Sequence, residues 1–205
     1  MANPDQDSPF RVSPVTLGND FVRLEPLRPH HAPALFLIGR EPETWRYMPD
    51  PSFDNEVAAA RWVTAALDAE LAGTRVPFVI IRLSDQVIVG STSLFDIRSP
   101  ERAVEIGHTW LAPAACRTEV NTAAKLLLLT HCFERLGARR VQLKTDARNE
   151  RSQRAIERLG ATKEGVLRRH MMCDDGHQRD TVYYSILPEE WPPIRERLTN
   201  RLGPA

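Results

Sequence analysis

The order of strand and helix patterns in the middle of the chain constrains its fold more than any other feature. Residues 103–111 have the composition of a strand, and a polar loop at residues 114–120 leads from it into a helix-forming segment. A second strand follows at residues 140–146, and a second helix begins near Asn149. A strand that enters a helix through a short loop leaves free backbone N–H groups and the positive end of the helix dipole at one place. This arrangement favours the binding of a phosphate-rich ligand.

Further strands and helices flank this central region. Strands are predicted at residues 21–25, 78–83, 87–95, 164–172 and 180–187, and helices at residues 30–40, 56–71, 121–136, 150–159 and from 188 onward. This order indicates an α/β (α+β) fold, a mixed, mostly antiparallel sheet of about seven strands with helices on both faces. Residues 1–14 are polar and contain several prolines. We therefore predict a flexible N-terminal tail there and a single domain over residues 15–205.

Composition and charge narrow the classes of function. Among 205 residues, Lys and Arg together number 27, as do Asp and Glu together, which gives no electrostatic case for nucleic acid or an anionic membrane surface. The three cysteines are widely spaced and form neither a disulfide framework nor a metal-ligand pair. The N-terminus lacks the apolar core of a secretory signal, and no apolar run reaches membrane-spanning length. We therefore expect a cytoplasmic protein without a metal.

Glu105 is the candidate proton acceptor on the first of the two central strands. Strict alternation along a strand places Glu105 on one face with Gly107 and Thr109, and places Ile106 and His108 on the other face. A carboxylate on a face of small residues can accept a proton from a bound amine, but it can equally be solvated or paired with an arginine. His108, on the apolar face, is read as a packing residue, and no pair of histidines has the spacing of a metal site.

Two further segments give the chain a family resemblance. One is the loop Arg117-Thr118-Glu119-Val120-Asn121-Thr122, and the other runs from residue 144 to residue 161, with Asn149 and Ser152 at the start of its helix. Together with Glu105 upstream, they resemble the RimJ/RimL-like branch of the GNAT superfamily of acetyl-coenzyme A-dependent N-acetyltransferases. The resemblance covers residues 15–195. It implies a GNAT-like sheet that is splayed at the cofactor site, between the strand of Glu105 and the strand at residues 140–146, with acetyl-CoA in the splay.

The resemblance also implies a set of cofactor contacts. In the family, backbone amides of the loop hold the coenzyme A pyrophosphate, an asparagine bonds the pantetheine arm, and a hydroxyl one turn later protonates the departing thiolate. The chain departs from the family's usual glycine-containing loop, because Cys116, Glu119 and Asn121 stand at its three defined positions. A plain capped helix start would explain the loop alone equally well. The implied contacts are Trp110, Leu111, Ala112, Arg117, Thr118, Glu119, Val120, Asn121, Thr122, Asn149 and Ser152.

The reaction that the resemblance implies is direct attack of an amine on the thioester. Glu105 would help remove the proton of the amine, and Ser152 would assist departure of the thiolate. The implied acceptor is a protein or peptide N-terminal α-amine. The alternatives are a small amine or amino acid, or a non-catalytic module that binds acyl-CoA, and a homodimer is left open. The expected substrate contacts are Trp45, Tyr47, Asp180 and Tyr183, although an aromatic residue such as Trp45 can equally fill a core.

Overall fold

Eight strands form one mixed sheet in the computed structural model, which describes residues 10–48, 52–173 and 176–203. The strands are β1 (Leu17–Gly18), β2 (Val22–Pro26), β3 (Arg75–Arg82), β4 (Val87–Arg98), β5 (Ala103–Leu111), β6 (Arg140–Asp146), β7 (Thr162–Met172) and β8 (Gln178–Ile186). Their spatial order is β1-β2-β3-β4-β5-β6-β8-β7, and among these strands only β5 and β6 pair in parallel. The mixed, mostly antiparallel sheet predicted from the sequence is confirmed, with the two-residue β1 added at its edge.

Helices cover both faces of the sheet, as predicted. They are α1 (Ala32–Ile38), α2 (Pro42–Trp45), α3 (Glu56–Leu71), α4 (Val120–Thr130), α5 (Glu150–Leu159) and α6 (Trp191–Leu202), and α4 continues as a π-helical segment, His131–Arg135. The helices α1 to α3 pack on one face, where Leu35 and Trp62 share an apolar core with Ile81 of β3. On the other face, Leu128 of α4 and Leu198 of α6 belong to a second core.

Short polar segments determine where several helices begin. Asn55 caps α3, because its Oδ1 accepts a 2.9 Å hydrogen bond from a backbone N–H of the first turn. The helix α4 begins at Val120 rather than at Asn121, since Oγ1 of Thr118 accepts a 3.3 Å hydrogen bond from the Val120 N–H. A further short helix, α2, was not predicted. It begins at Pro42, a residue suited to the first helical position.

The strand β5 carries a one-residue bulge that the sequence pattern did not predict. Ser93 of β4 pairs with Gly107, and Ser91 of β4 pairs with Trp110. The two serines are two positions apart on β4, but their partners are three positions apart on β5. Within this segment His108 has a φ of 46°, in the left-handed region. The pairing therefore sets two residues of β5, His108 and Thr109, against one residue of β4, Thr92, which is the definition of a bulge.

The bulge reverses the faces of the side chains that follow it. Trp110 lies in the core beneath α1 to α3, whereas Thr109 contacts α4 on the opposite face. The predictions that Thr109 shares the face of Glu105 and that His108 shares the face of Ile106 are therefore wrong. One extra residue shifts the two-residue period of the strand, so every later position changes sides.

The sheet opens between β5 and β6. These strands pair at three register positions, of which the last sets Glu105 opposite Gln142. Beyond that point β5 remains paired with β4 as far as Leu111, and β6 remains paired with β8 as far as Asp146. The two strands thus part after Glu105 and leave a cleft, as expected from the resemblance.

The chain joins the domain before residue 15. Phe10 is buried in the core on the α4 side of the sheet, and the guanidinium carbon of Arg102 lies 5.6 Å from the centre of its ring. Residues 11–14 therefore follow a residue that is buried in the core. The tail prediction for residues 1–9 lies outside the described residues.

Candidate active site

Glu105 is held at the point where β5 and β6 part. Its side chain is 1% exposed, and its Oε2 accepts a 2.7 Å hydrogen bond from Nε2 of Gln142. The same oxygen lies 3.1 Å from Nζ of Lys144. Gln142 and Lys144 are two residues apart on β6 and share a face of the strand. The second strand of the cleft thus supplies two donors to a carboxylate on the first.

Burial determines the proton affinity of this carboxylate. It raises the pKa of Glu105, because the loss of water disfavours the charged form. The positive charge of Lys144 and the hydrogen bond from Gln142 oppose this rise, and the negative charge of Asp96 adds to it. A carboxylate with a raised pKa takes a proton more readily than an exposed one, which suits a general base.

The aromatic ring of Phe95 packs against β5 beside Glu105. A Cβ atom on Gly107 would lie 2.6 Å from Cε1 of Phe95, so the ring reaches this position because the residue is glycine. Nζ of Lys144 lies 5.2 Å from the ring centre of Phe95 and 5.8 Å from that of Tyr183. Aromatic faces attract an ammonium group, and these two hold Lys144 next to the carboxylate.

A cavity of about 460 Å³ lies next to the ring of Phe95. It is lined by the end of α3, the start of β3 with Arg75, the end of β4 with Phe95 and Asp96, and His108 of the bulge. The His108 ring packs at 4.7 Å from the ring of Phe95. Phe95 therefore forms a wall of the cavity and also borders the segment of β5 that carries Glu105.

The loop between β5 and α4 presents backbone donors without acceptors. In the described part of the chain, the N–H groups of residues 117, 118, 119, 121 and 122 have no hydrogen-bond acceptor. Oγ1 of Thr118 donates a 2.8 Å hydrogen bond to the carbonyl oxygen three residues earlier and so fixes the turn. Arg117 has a φ of 65°, a conformation that costs an L-residue about 1–2 kcal/mol. Free amides at the start of α4 are the donors that a diphosphate needs, so the residues present fit coenzyme A.

Asn149 and Ser152 lie at the start of α5, directly after β6. Oδ1 of Asn149 accepts a 3.0 Å hydrogen bond from the backbone N–H of Ser152, which makes Asn149 the cap of the helix. This bond leaves the Asn149 amide NH₂ and the Ser152 hydroxyl without a partner among the described residues. Both groups are therefore available to a ligand.

Two of the four expected substrate contacts lie near the cleft. Tyr183 is half-buried on the same side as Glu105, and its hydroxyl lies 3.2 Å from Nε2 of His170. The ring of Tyr47 has the guanidinium carbon of Arg148 at 5.7 Å from its centre, next to the end of β6.

The other two expected contacts are used within the fold. Trp45 is 4% exposed, packs in the aromatic core with Phe53, and donates a 2.7 Å hydrogen bond from Nε1 to the carbonyl of Gly39. Oδ1 of Asp180 accepts a 2.7 Å hydrogen bond from the backbone N–H of Arg169, beside an irregularity in the β7–β8 pairing. Tyr47 and Tyr183 therefore remain candidate acceptor contacts, whereas Trp45 and Asp180 have partners within the fold.

Three side chains of the site were not identified from the sequence. Gln142 and Lys144 could have been found, because polar residues alternate along residues 140–146 and mark one polar face. No comparable pattern in the sequence marks Arg179 of β8 as a site residue. Arg179 is 6% exposed, and its Nε has no hydrogen-bond acceptor among the described residues. Burial lowers the pKa of Arg179, while the negative charges of Asp146 and Glu105 oppose this.

Within the described ranges, no three His, Cys, Asp or Glu side chains come together in a group that could hold a metal ion. None of the helices in these ranges is long and apolar enough to cross a membrane.

The fold and the site together define a class of protein. A mixed sheet parts after a buried carboxylate, and the strand of that carboxylate leads into a helix whose first amides are free, as an acyl-CoA-dependent N-acyltransferase requires. The chain belongs to the GNAT acetyltransferase family, because the family model described as "Acetyltransferase (GNAT) domain" matches residues 22–162. Enzymes of this family take the acetyl group from acetyl-CoA.

Individual relatives agree with this assignment. A protein of Bacillus subtilis (strain 168) named "Putative ribosomal N-acetyltransferase YdaF" is 36% identical over 109 residues, and the match covers 53% of this chain but only 58% of YdaF. A GCN5-related N-acetyltransferase from Brucella melitensis has a TM-score of 0.89 at 27% identity, with 98% of this chain and 91% of that chain covered. Mycobacterium smegmatis RimJ in complex with CoA-disulfide has a TM-score of 0.79 at 25% identity, with 94% and 96% covered.

Proposed function

We propose that this protein transfers an acetyl group from acetyl-CoA to the N-terminal α-amine of a protein or peptide, by direct attack of the amine on the thioester. One observation carries the proposal. The buried carboxylate of Glu105 lies where β5 and β6 part, and the same strand leads into a loop with five unpartnered amides. A proton acceptor and a diphosphate site are thus attached to the two ends of one strand.

The cofactor-binding part of the proposal rests on the two helix starts. The free amides of residues 117–119, 121 and 122, together with the guanidinium of Arg117, would hold the diphosphate through charge-assisted hydrogen bonds. The free amide NH₂ of Asn149 would bond the pantetheine arm across the cleft. Trp110 contributes through its backbone, since its side chain is buried in the aromatic core. The N–H of Ala112 donates to Val89 and is not available to the thioester.

The chemical step requires two proton transfers. Glu105 would accept the proton of the attacking amine, and the hydroxyl of Ser152 would donate a proton to the departing thiolate. Lys144 and Gln142 orient the Glu105 carboxylate, so a lone pair of fixed direction faces the cleft. Beyond Glu105, β5 has an edge that is no longer paired with β6. A backbone N–H on this edge would polarise the thioester carbonyl and lower the activation barrier by about 3 kcal/mol.

The open cavity beside Phe95 has a volume of about 460 Å³, which accommodates either the first residues of a peptide or a small amine. The choice between them rests on a relative. The name of YdaF, a putative ribosomal N-acetyltransferase, favours a protein acceptor. Tyr47 and Tyr183 would border the chain that follows the α-amine.

A free amino acid or other small amine is the second candidate. The observation that favours it is Arg179, a buried guanidinium whose Nε lacks an acceptor among the described residues. A carboxylate on the acceptor would supply that partner. In a peptide acceptor, a backbone carbonyl oxygen would occupy the same position.

Calorimetry with acetyl-CoA, followed by turnover assays, tests the proposal. Acetyl-CoA should bind with measurable heat, and at a hundred times its dissociation constant it should stabilise the fold by about 2.7 kcal/mol. Peptides with a free N-terminus should then be acetylated, while the same peptides with a blocked N-terminus and free amino acids should not. No binding would refute the acetyltransferase proposal. Binding without turnover on any amine would favour the non-catalytic module, and turnover of amino acids alone would favour the small-amine alternative.

A further inference from the structure

Lys125 is a buried amine that the proposed chemistry does not use. It lies in the second turn of α4, is 5% exposed, and points at the sheet. Its Nζ donates a 2.6 Å hydrogen bond to Oγ1 of Thr109 and lies 3.4 Å from Oγ1 of Thr92. The two threonine hydroxyls are themselves 2.8 Å apart. One nitrogen and two oxygens thus form a closed triangle between α4, β5 and β4.

Among the described residues, no charged side chain compensates the charge of Lys125. Burial alone lowers its pKa to about 7, and no charged side chain on β4, β5 or any other element packed against α4 contributes to the shift. A neutral amine suits the triangle, because it can donate to one hydroxyl and accept from the other. An ammonium group would bring three donors to two oxygens and would leave a buried charge unpaired.

The triangle is attached to the bulge of β5. Thr109 faces α4 only because the bulge changes the period of the strand, and its Oγ1 also lies 3.4 Å from the carbonyl oxygen of Gly107. Between these residues stands His108, with its φ of 46°, which faces the cavity beside Phe95. The position of Gly107 next to Glu105 therefore depends on the same local geometry that Thr109 anchors.

We propose that Lys125 is a positioning residue, which fixes the β5 bulge through Thr109 and Thr92 while it is neutral and loosens it when it takes up a proton. Protonation of Lys125 changes the direction in which the hydroxyl groups of Thr92 and Thr109 donate their hydrogen bonds. A neutral Lys125 donates to Thr109 and accepts the hydrogen of Thr92, while Thr109 donates to Thr92. A protonated Lys125 accepts no hydrogen, so the Thr92 hydroxyl turns to Oγ1 of Thr109. The Thr109 hydrogen must then find another acceptor, and the carbonyl of Gly107 is within reach. The bulge and the residues beside Glu105 thus respond to pH from the opposite face of the sheet.

Titration of the lysine side chains by NMR tests the protonation directly on the whole chain. The sequence contains three lysines, Lys125, Lys144 and Lys163, so selective labelling of the terminal nitrogen gives three signals. The variants Lys144→Met and Lys163→Met assign the third signal by elimination, without any change to the buried residue. We expect Lys125 to titrate near neutral pH, far below the ordinary lysine range of about 10.4. A titration of Lys125 in that ordinary range, or none above pH 5, would overturn the proposal.

Folding stability provides a second readout of the same proton. Between about pH 7 and 10 the unfolded chain binds a proton at Lys125 that the folded protein lacks, so stability should rise with pH. The unfolding constant should fall about tenfold per pH unit from this group. Lys125→Met should lose this slope, and Lys163→Met should keep it. Equal slopes in the parent and in Lys125→Met would contradict the proposal.

Turnover tests the positioning role, and this arm alone rests on the proposed function. Thr109→Val removes the hydroxyl at constant shape, and Thr109→Ser retains it. We expect Thr109→Val to lower kcat at least about tenfold with little change in the KM for acetyl-CoA, because it displaces the groups beside Glu105. Thr109→Ser should remain close to the parent. Equal kcat in both variants overturns the positioning role, whereas a parent without turnover refutes the proposed function and leaves the NMR result standing.

Discussion

Gln142 donates a 2.7 Å hydrogen bond to Glu105 at the last register position where β5 and β6 are paired. The bond spans the two strands at the apex of the cleft, one residue before they separate. It holds a buried carboxylate in one orientation at the closed end of the gap. The hydrogen bond between Gln142 and Glu105 therefore links the end of the strand pairing to the orientation of the candidate base.

Glu105→Gln should retain the fold and the affinity for acetyl-CoA and should lower turnover by roughly 10²–10⁴-fold, the usual loss for a general base. Glutamine has the same shape but cannot accept the proton of the amine. Single-turnover rates and calorimetry measure the two effects separately. Glu101→Gln, an exposed position on the loop before β5, is the matched control and should behave like the parent. An undiminished rate would remove Glu105 from the mechanism.

Lys144→Met should shift the acidic limb of the pH profile of kcat/KM to higher pH. The positive charge of Lys144 opposes the rise in the pKa of Glu105, so its removal raises that pKa further. A base works only when deprotonated, and activity should then appear at a higher pH than in the parent. Lys163→Met, which is exposed, should leave the limb in place. If the acidic limb of kcat/KM lies at the same pH in Lys144→Met as in the parent, the limb reflects the titration of a group other than Glu105.

Substitution of Arg117 should separate cofactor binding from backbone strain. Arg117→Ala and Arg117→Gly both remove the guanidinium and should weaken acetyl-CoA binding about tenfold with little change in kcat, because the diphosphate is remote from the reacting atoms. Glycine accepts the φ of 65° without strain, so Arg117→Gly should also be about 1 kcal/mol more stable than Arg117→Ala. Calorimetry and urea denaturation test the two parts. Unchanged affinity in both variants would place Arg117 outside the site.

Ser152→Ala should lower turnover without a change in stability, whereas Asn149→Ala should lower stability. The cap of α5 uses the backbone N–H of Ser152, so loss of the hydroxyl should slow turnover about tenfold or more and leave the melting temperature unchanged. Asn149→Ala removes the cap and should cost about 1 kcal/mol of stability, with weaker cofactor binding as well. If Ser152→Ala retains full turnover with acetyl-CoA, the thiolate must receive its proton elsewhere.

Arg179→Met should raise the KM for the acceptor about tenfold and leave the KM for acetyl-CoA unchanged. The buried guanidinium lacks a hydrogen-bond acceptor at Nε among the described residues, and an oxygen of the acceptor would complete it. Methionine retains the apolar part of the side chain but removes a charge that faces Asp146 and Glu105, so melting curves must show that the variant is folded. Arg158→Met, on the exposed side of α5, serves as the control. An unchanged KM for the acceptor would assign Arg179 a role in the fold alone.

Local patterns in the sequence determined the elements around the site. The bounds predicted for β5, β6 and α5 agree with the structure, because composition, a terminal glycine and a capping asparagine act within a few residues of one another. The loop after β5 was also predicted, since free amides at a helix start follow from helix geometry alone.

Only the tertiary structure decided which residues meet. The face of each residue of β5 follows from alternation only while the register with β4 is constant, and the bulge at His108 arises from pairing with Ser91 and Ser93, on a different strand. Lys144 became a partner of Glu105, and Lys125 a partner of Thr109, through contacts between elements distant in sequence. The sequence determines the local conformations, whereas the packing of one element on another sets the register, the burial and therefore the proton affinities of the site.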